Sequence, residues 1–287
     1  MKIVTDSGAD IAYEECESLG ITMLPLKVEV NGVSYQSGVD IDPDKFYDLM
    51  DASPTMPITS TPSVGEFVEV YQRLAQEDPE ILSIHLSSGL SGTFNTAVQA
   101  AAMVPEARNT LIDTLTLSAG TAWQLRAASA MMKAGHQLKE VVDVLQQIQD
   151  ASVTFFTLPD LKYLIAGGRI SHLKGLLASL LGIKPVIEVS KVDGKYYDKS
   201  KKRSFSQAIN AITELVRKIH PAGTELKAQI VTAANPTGAE QLKVSMDKVF
   251  KCHWEPTVTL GTALGAHTGR GLVGIVCAAT SALPAIS

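Results

Sequence analysis

The chain has 287 residues, of which 45% are hydrophobic and 19% are charged, and its formal net charge is -5 at pH 7. This length favours two domains, and a charged fraction below the roughly 25% usual for globular proteins predicts large buried surfaces or an internal apolar cavity. The acidic balance argues against nucleic-acid binding over the whole surface, and three widely spaced cysteines without a CxxC pair indicate neither a disulfide framework nor a zinc site.

The chain begins directly with a predicted strand and shows no signal peptide. The longest apolar stretch, residues 173–189, is interrupted by Lys174, Lys184 and Pro185 and is too polar to span a bilayer. We therefore expect a soluble, cytoplasmic protein.

The first half alternates predicted strands and helices. Strands are expected at residues 3–5, 21–30, 33–36, 81–86 and 111–113, and helices at 11–19, 43–50, 64–75, 94–103 and 119–134. This order predicts an α/β domain with a mostly parallel sheet flanked by helices on both faces.

The pattern changes after a predicted helix at residues 138–149. Strands are expected at residues 153–158, 185–192, 195–197, 228–233, 255–260 and 272–278, and helices at 161–165, 206–219 and 238–249. Asp193-Gly194 is the strongest hairpin signal. We expect a second, α+β domain with a mixed sheet, and we divide the chain into domains 1–155 and 156–287.

The most informative segment is residues 86–93, Leu-Ser-Ser-Gly-Leu-Ser-Gly-Thr, between a predicted strand and an alanine-rich helix. Such a turn offers free N–H groups and hydroxyls at the positive end of a helix, which suits a carboxylate or a phosphate. The alternative is that Ser91 or Thr93 simply caps the helix, which is commoner for a single hydroxyl in this position.

Two other segments have related chemistry. Thr59, Ser60 and Thr61 precede a Ser63–Glu66 pair that fits a capping box, so these three hydroxyls are free for a ligand or for solvent. Residues 264–272 form a predicted glycine-rich loop around His267, which is either a ligand contact or a core histidine. Residues 269–274 match GxGxxG, but a strand follows, so we reject a dinucleotide site.

An enzyme is the main alternative to a binding protein. The sequence contains no GxSxG, HExxH or Walker A motif. Ser91 could act with His267, or with His85 and Asp113, in a hydrolase or a phosphotransferase. Aspartates that could bind a metal have simpler explanations in turns and caps: Asp6, Asp10, Asp40 and Asp42.

The one dense basic cluster contains Lys199, Lys201, Lys202 and Arg203. It is either the lysine-rich edge of a solvated hairpin or a docking or phosphate-steering patch with Arg203 directed inward.

Together, these segments resemble the DegV family, fatty-acid-binding proteins that partner a bacterial fatty acid kinase. The resemblance covers nearly the whole chain. It rests on motifs at residues 4–7 (VTDS), 59–63 (TSTPS), 87–93 (SSGLSGT), 164–170 (LIAGGRI), 184–185 (KP), 193–194 (DG) and 265–269 (GAHTG).

The resemblance implies one long-chain fatty acid buried between the two domains, with its carboxylate held by Thr59 and Ser91. The family's histidine loop corresponds to His267, and its arginine near the headgroup corresponds to Arg203. The expected secondary contacts are Ser60, Ser88 and Gly92. The expected ligand is a C14–C18 acid. Burying about sixteen carbons at roughly 0.8 kcal/mol per methylene would provide about 12 kcal/mol before association costs, so submicromolar affinity is reachable.

The resemblance also implies a carrier without cofactor, metal or complete active site. It would present the carboxylate to a separate kinase, which makes acyl phosphate for phospholipid metabolism. A third hypothesis is a regulatory module in which the lipid is only structural.

Three features depart from the usual family pattern: Thr61 replaces Gln, Arg270 replaces Pro, and residues 113–120 are looser. We expect them to affect headgroup geometry and chain-length preference rather than the fold. Residues 173–181 are apolar almost all round, so we expect them to form part of the tail wall or, alternatively, an ordinary core.

Overall fold

The computed structural model describes residues 1–170 and 182–286. The expected tail-wall segment, residues 173–181, lies outside the described residues. No helix in the described part of the chain is long and apolar enough to cross a membrane.

The first half of the chain contains strands β1 (Lys2–Asp6), β2 (Ile21–Leu24), β3 (Lys27–Val30), β4 (Val33–Gln36), β5 (Ile58–Ser60), β6 (Glu80–His85) and β7 (Arg108–Asp113). Its helices are α1 (Tyr13–Leu19), α2 (Pro43–Ala52), α3 (Val64–Glu77), α4 (Thr93–Ala102), α5 (Ala119–Lys133) and α6 (Leu138–Ala151).

The second half contains strands β8 (Val153–Thr157), β9 (Lys184–Val189), β10 (Tyr196–Lys202), β11 (Glu225–Thr232), β12 (Lys251–Trp254), β13 (Val258–Thr259) and β14 (Val273–Ala279). Its described helices are α7 (Lys162–Ala166), α8 (Phe205–Ile219), α9 (Pro236–Asp247) and α10 (Thr262–Thr268).

The first sheet is parallel, with strand order β2-β1-β6-β7. Successive residues of a strand point to opposite faces of the sheet, so neighbouring residues belong to different hydrophobic cores. Val4 packs with residues of α3 and α4, whereas Ile3 packs in the larger core that includes α5 and α6. The predicted α/β domain, with helices on both faces of a parallel sheet, is confirmed.

Two helix starts follow the predicted side-chain chemistry. The Asp42 carboxylate accepts hydrogen bonds from the N–H groups of Asp44 and Lys45 at the start of α2. Ser63 and Glu66 form the reciprocal capping box of α3. Both interactions satisfy N–H groups that have no partner inside the helix.

The predicted strand at residues 21–30 is wrong as a single element. It divides into β2 and β3, and Pro25 lies between them. Proline fixes its backbone φ angle and has no N–H group for strand pairing, and the chain leaves the parallel sheet at this point. β3 instead forms a small antiparallel sheet in the order β4-β3-β5.

The second sheet is mixed, with strand order β10-β9-β8-β14-β11-β12 and with β13 also paired to β11. β11 runs parallel to β12 and β13, while the other pairs are antiparallel. This confirms the mixed sheet predicted for the second domain. β8 belongs wholly to this sheet, so the expected division after residue 155 falls inside β8.

One contact between the two sheet-bearing units lies at a loop that follows a parallel strand. Ser87, after β6, donates a hydrogen bond to the Gly194 carbonyl at the tip of the β9–β10 hairpin, over 2.9 Å. A Cβ on Gly194, whose φ is +64°, would lie only 1.8 Å from Ser87 Oγ. The contact therefore requires glycine at the hairpin tip, both for space and for backbone conformation.

Candidate functional site

The serine-rich loop after β6 folds back on itself before α4 begins. The N–H groups of Leu90 and Ser91 both donate to the Ser87 carbonyl over 3.1 Å. Ser91 Oγ lies 2.9 Å from Thr93 Oγ1 and accepts a longer hydrogen bond, 3.3 Å, from the Thr93 N–H. The N-cap of α4 is Gly92, and this helix start has no side-chain cap hydrogen bond, so Ser91 contacts Thr93 without capping the helix. The Ser91 side chain also lines a cavity.

The other side of this cavity is formed by two segments far apart in sequence. Thr59 lies on β5, opposite Val28 of β3. His267 lies on α10, and its Nε2 atom is 2.8 Å from Thr59 Oγ1. The loop predicted for residues 264–272 is wrong for residues 264–268, which belong to helix α10.

Helix α10 is fixed to the first domain at its start. Ser37 Oγ accepts hydrogen bonds from the Thr262 hydroxyl over 2.9 Å and from the Ala263 N–H over 3.1 Å. Asp10 Oδ1 accepts another from the Gly261 N–H over 3.0 Å. These contacts hold the helix that carries His267 against the domain that carries Thr59 and Ser91.

The cavity enclosed by these segments combines polar and apolar walls and has a volume of about 40 Å³. It is lined by Leu26, Thr59, Ser60, Thr61, Leu86, Leu90, Ser91, Arg169, Tyr196, Ala263, Leu264 and His267. Hydroxyls, an imidazole and a guanidinium in one small space can donate several hydrogen bonds to a carboxylate.

Arg169 is the cation of this cavity, and it was not among the predicted site residues. Its Nε donates to the Leu90 carbonyl over 3.2 Å and its Nη1 to the Gly167 carbonyl over 2.5 Å. Burial lowers the pKa of its guanidinium. The signal that could have identified Arg169 is the Gly-Gly-Arg sequence at residues 167–169, which belongs to the 164–170 motif of the family resemblance.

His267 is neutral at pH 7. Burial, followed by the positive charge of Arg169, lowers the pKa of its imidazole to about 4. Its Nδ1 atom has no hydrogen-bond partner among the described residues. A Cβ on Gly167 would lie 2.1 Å from that atom, so glycine at position 167 gives the imidazole its space.

The structure brings together four of the predicted contacts, Thr59, Ser60, Ser91 and His267, around one cavity. Gly92 stands next to it, since a Cβ there would lie 3.9 Å from Thr61 Cγ2. The remaining two predicted contacts lie elsewhere.

Ser88 and Arg203 are absent from the described lining of the cavity. The Ser88 N–H donates to Asp113 Oδ1 over 3.1 Å. Arg203 is exposed just before α8, so its expected inward orientation is not observed. It follows β10, which is an edge strand of its sheet and carries Lys199 and Lys201. Side chains at such an edge extend into solvent, which explains the position of the cluster.

The arrangement of Ser91 with His85 and Asp113 is not formed. His85 Nδ1 instead lies 2.8 Å from Asp6 Oδ2, and its Nε2 lies 2.7 Å from Ser83 Oγ. Asp6, Ser83 and His85 are completely buried in the first domain. They form an internal polar network that a substrate cannot reach.

A second cavity adjoins the first and has apolar walls. Its volume is about 30 Å³. It is lined by Leu117, Ser118, Thr154, Phe155, Phe156, Val189, Tyr196, Val231, Leu260, Thr268, Leu272, Gly274, Ile275 and Val276. Tyr196 lines both cavities.

The described residues contain no cluster of metal-binding side chains. Within residues 1–170 and 182–286, no group of three or more His, Cys, Asp or Glu side chains is placed to hold a metal ion. The aspartates considered from the sequence serve other contacts: Asp6 binds the Gly8 N–H, Asp10 the Gly261 N–H and Asp40 the Gln36 N–H.

The fold and the site thus define a two-domain α/β protein with a polar cavity between its domains. Residues 1–280 match the family model described as "Uncharacterised protein, DegV family". The chain belongs to the DegV family.

Individual relatives match over almost their full length. A DegV domain-containing protein of Staphylococcus aureus is 34% identical over 278 residues, which cover 96% of this chain and 97% of the relative. The fatty-acid-binding DegV family protein of Thermus thermophilus superposes with a TM-score of 0.88 at 26% identity, covering 97% of this chain and 99% of its own. DegV of Bacillus subtilis, a fatty-acid-binding protein, gives a TM-score of 0.86 at 28% identity, with coverages of 97% and 99%.

Proposed function

We propose that this protein binds one long-chain fatty acid and presents its carboxylate to a separate kinase. The observation that carries the proposal is the convergence of Thr59, Ser91, Arg169 and His267 on one small polar cavity beside an apolar one. That pairing matches the two chemical parts of a fatty acid, a charged headgroup and a hydrocarbon tail.

The headgroup chemistry is consistent with a carboxylate. The hydroxyls of Thr59 and Ser91 can rotate to donate, and the Arg169 guanidinium supplies a positive charge. Hydrogen bonds that involve a charged partner are shorter and stronger than neutral ones. The neutral His267 ring holds Thr59 Oγ1 at 2.8 Å and so fixes one of these hydroxyls.

The tail would extend past Tyr196 into the apolar cavity. Burial of methylene groups contributes about 0.8 kcal/mol each, so a long chain gains far more than a short one. The two cavities, about 40 and 30 Å³ in volume, are too small for a whole acyl chain. Binding a C14–C18 acid therefore requires side chains around them to move.

The protein would act as a carrier in the cytoplasm, with no cofactor and no catalytic cycle of its own. The kinase would hold ATP, and an oxygen of the bound carboxylate would attack the γ-phosphorus, displacing ADP and forming an acyl phosphate for phospholipid metabolism. The fatty-acid-binding DegV proteins of T. thermophilus and B. subtilis support the lipid part of this proposal. The kinase part is supported by the family resemblance.

Mass spectrometry of an organic extract from the untreated protein tests the lipid part. We expect one equivalent of a C14–C18 fatty acid per chain. The proposal fails if several preparations contain no such lipid and the delipidated protein takes up no added palmitate.

A trapping assay tests the carrier part. Palmitate-loaded protein, a bacterial fatty acid kinase, ATP and Mg²⁺ should yield acyl phosphate, which hydroxylamine converts to a hydroxamate. The same mixture without the kinase should yield none. Hydroxamate formed without the kinase would instead support a phosphotransferase, and turnover of a chromogenic ester would support a hydrolase.

A further inference from the structure

Tyr196 occupies the boundary between the two cavities. It is the first residue of β10, stands opposite Val189 of β9 and is only 6% exposed. Its side chain lines the polar cavity together with Ser91 and His267, and it also lines the apolar cavity together with Val189. A ligand that occupies both cavities must therefore pass this ring.

The ring is held by packing and carries no charge. It meets Phe156, another wall of the apolar cavity, edge to face, with 5.1 Å between ring centroids and 70° between ring planes. Burial raises the pKa of its phenol well above the usual value, although the positive charge of Arg169 partly opposes this effect. A neutral, packed ring beside the headgroup cavity acts as a steric wall rather than as an ionic ligand.

We propose that Tyr196 is a specificity-determining residue that selects fatty acids without branches next to the carboxylate. This inference rests on the proposed function. With the carboxylate in a cavity of about 40 Å³, the carbons that follow it lie against the Tyr196 ring as the chain enters the apolar cavity. These walls already move to admit an unbranched chain, and an extra methyl group at the second carbon requires a further displacement of the Tyr196 ring, which weakens binding because well-packed walls resist added volume.

The test compares the binding of palmitate and 2-methylpalmitate to delipidated wild-type protein and to three variants. Tyr196→Ala removes the ring, and Tyr196→Phe keeps it without the hydroxyl. Tyr197→Ala is the matched control, because neighbouring strand residues point to opposite faces and Tyr197 lines neither cavity among the described residues.

We expect wild-type protein to bind palmitate about ten-fold or more tightly than the branched acid, the usual range for one methyl group in a fitted pocket. Tyr196→Phe and Tyr197→Ala should keep this ratio, and Tyr196→Ala should bring it close to one. Circular dichroism and thermal melting would establish that each variant is folded. If Tyr196→Ala does not fold, Tyr196→Leu retains apolar volume and should also reduce the ratio.

Three results would overturn the inference, and they are distinguishable. The ratio of palmitate affinity to 2-methylpalmitate affinity could be unchanged in folded Tyr196→Ala, or wild-type protein could bind both acids equally. Either result would show that Tyr196 does not determine specificity, while fatty-acid binding itself would stand. Failure of wild-type protein to bind either acid overturns the proposed function, and with it the role of Tyr196.

Discussion

Thr59 Oγ1 and His267 Nε2 lie 2.8 Å apart, although 208 positions separate the two residues in the chain. This hydrogen bond joins a strand of the first domain to a helix of the second. The proposed headgroup site lies where the two domains meet, so substitutions that alter their docking should affect binding without touching the ligand.

Ser91→Ala should weaken fatty-acid binding. Loss of a hydrogen bond to a charged acceptor costs roughly 1.5–3 kcal/mol, or about ten-fold to a hundred-fold in Kd. Ser88→Ala is the matched control in the same loop, since Ser88 lies outside the described cavity lining. Titration calorimetry with palmitate measures both. Equal affinity of Ser91→Ala and wild type would remove Ser91 from the headgroup site.

Arg169→Ala and Arg203→Ala should behave differently. Arg169 lines the cavity, so its loss should weaken palmitate binding by about ten-fold or more, the range for bonds to a charged group. Arg203 is exposed before α8, so its variant should retain wild-type affinity. The reverse order of effects would restore Arg203 as the headgroup arginine.

Gly167→Ala should displace the His267 ring. The added Cβ would lie 2.1 Å from His267 Nδ1, and such overpacking costs about 1–3 kcal/mol. We expect a lower melting temperature and weaker palmitate binding. Gly65→Ala provides the control, because a Cβ there meets only Ser63 Oγ at 3.9 Å. The explanation is wrong if Gly167→Ala binds palmitate as tightly as the control.

Asp10 should make the folded state less stable as the pH rises. Burial raises the pKa of its carboxyl from 3.8 to about 7; the nearby Ser118 side chain and the hydrogen bond from the Gly261 N–H partly oppose this, and the charge of Asp6 adds to it. Between these pH values the folded state binds more protons at Asp10 than the unfolded state does. Its contribution to the free energy of unfolding therefore falls through this range, by up to about 1.4 kcal/mol per pH unit.

Urea unfolding of wild type and Asp10→Asn across this pH range isolates the effect. The His267 contribution has the opposite sign, because its pKa is lowered in the folded state, but it is present in both proteins. The free energy of unfolding of wild type, relative to that of Asp10→Asn, should therefore fall as the pH rises from 3.8 to about 7. A constant difference would show that Asp10 titrates normally.

Arg270 should matter for domain contact rather than for the ligand. Its guanidinium donates to Asp51 over 2.8 Å and to Asp48 over 2.5 Å, both on α2. Burial is the largest single effect and lowers its pKa, but the hydrogen bonds and charges of Asp51 and Asp48 together raise it overall. Such exposed pairs contribute about 0–1 kcal/mol, so Arg270→Gln should lower stability by no more than that and leave palmitate affinity unchanged. A clear loss of affinity would place this charge in the headgroup site.

The sequence was sufficient to predict the parallel sheet, because its strands alternate regularly with helices. It was also sufficient for the Ser63 capping box, a purely local interaction. It was insufficient at Pro25, where the run of strand-forming residues continues across the break between two sheets. β5 was missed because its three residues lie in a proline-rich stretch and are defined by pairing with β3.

The site was predictable only in part, because it too depends on contacts between segments that are far apart in the sequence. Thr59, Ser91 and His267 could be found because glycine and hydroxyl residues surround them. The identity of the cation could not, since Arg169 and Arg203 both follow plausible signals and only the packing of the two domains places Arg169 at the cavity. The role of Tyr196 depends on its position between two cavities, for which no local pattern exists.

The late position of α10 in the chain has a consequence for the protein during synthesis. Domains generally fold as units from the N-terminus while translation continues, so the parallel sheet can form before His267 has left the ribosome. At that stage Thr59 and Ser91 are present but Thr59 lacks the imidazole that holds it. If the protein binds a fatty acid as proposed, a nascent chain should therefore be unable to capture it until α10 has emerged and docked.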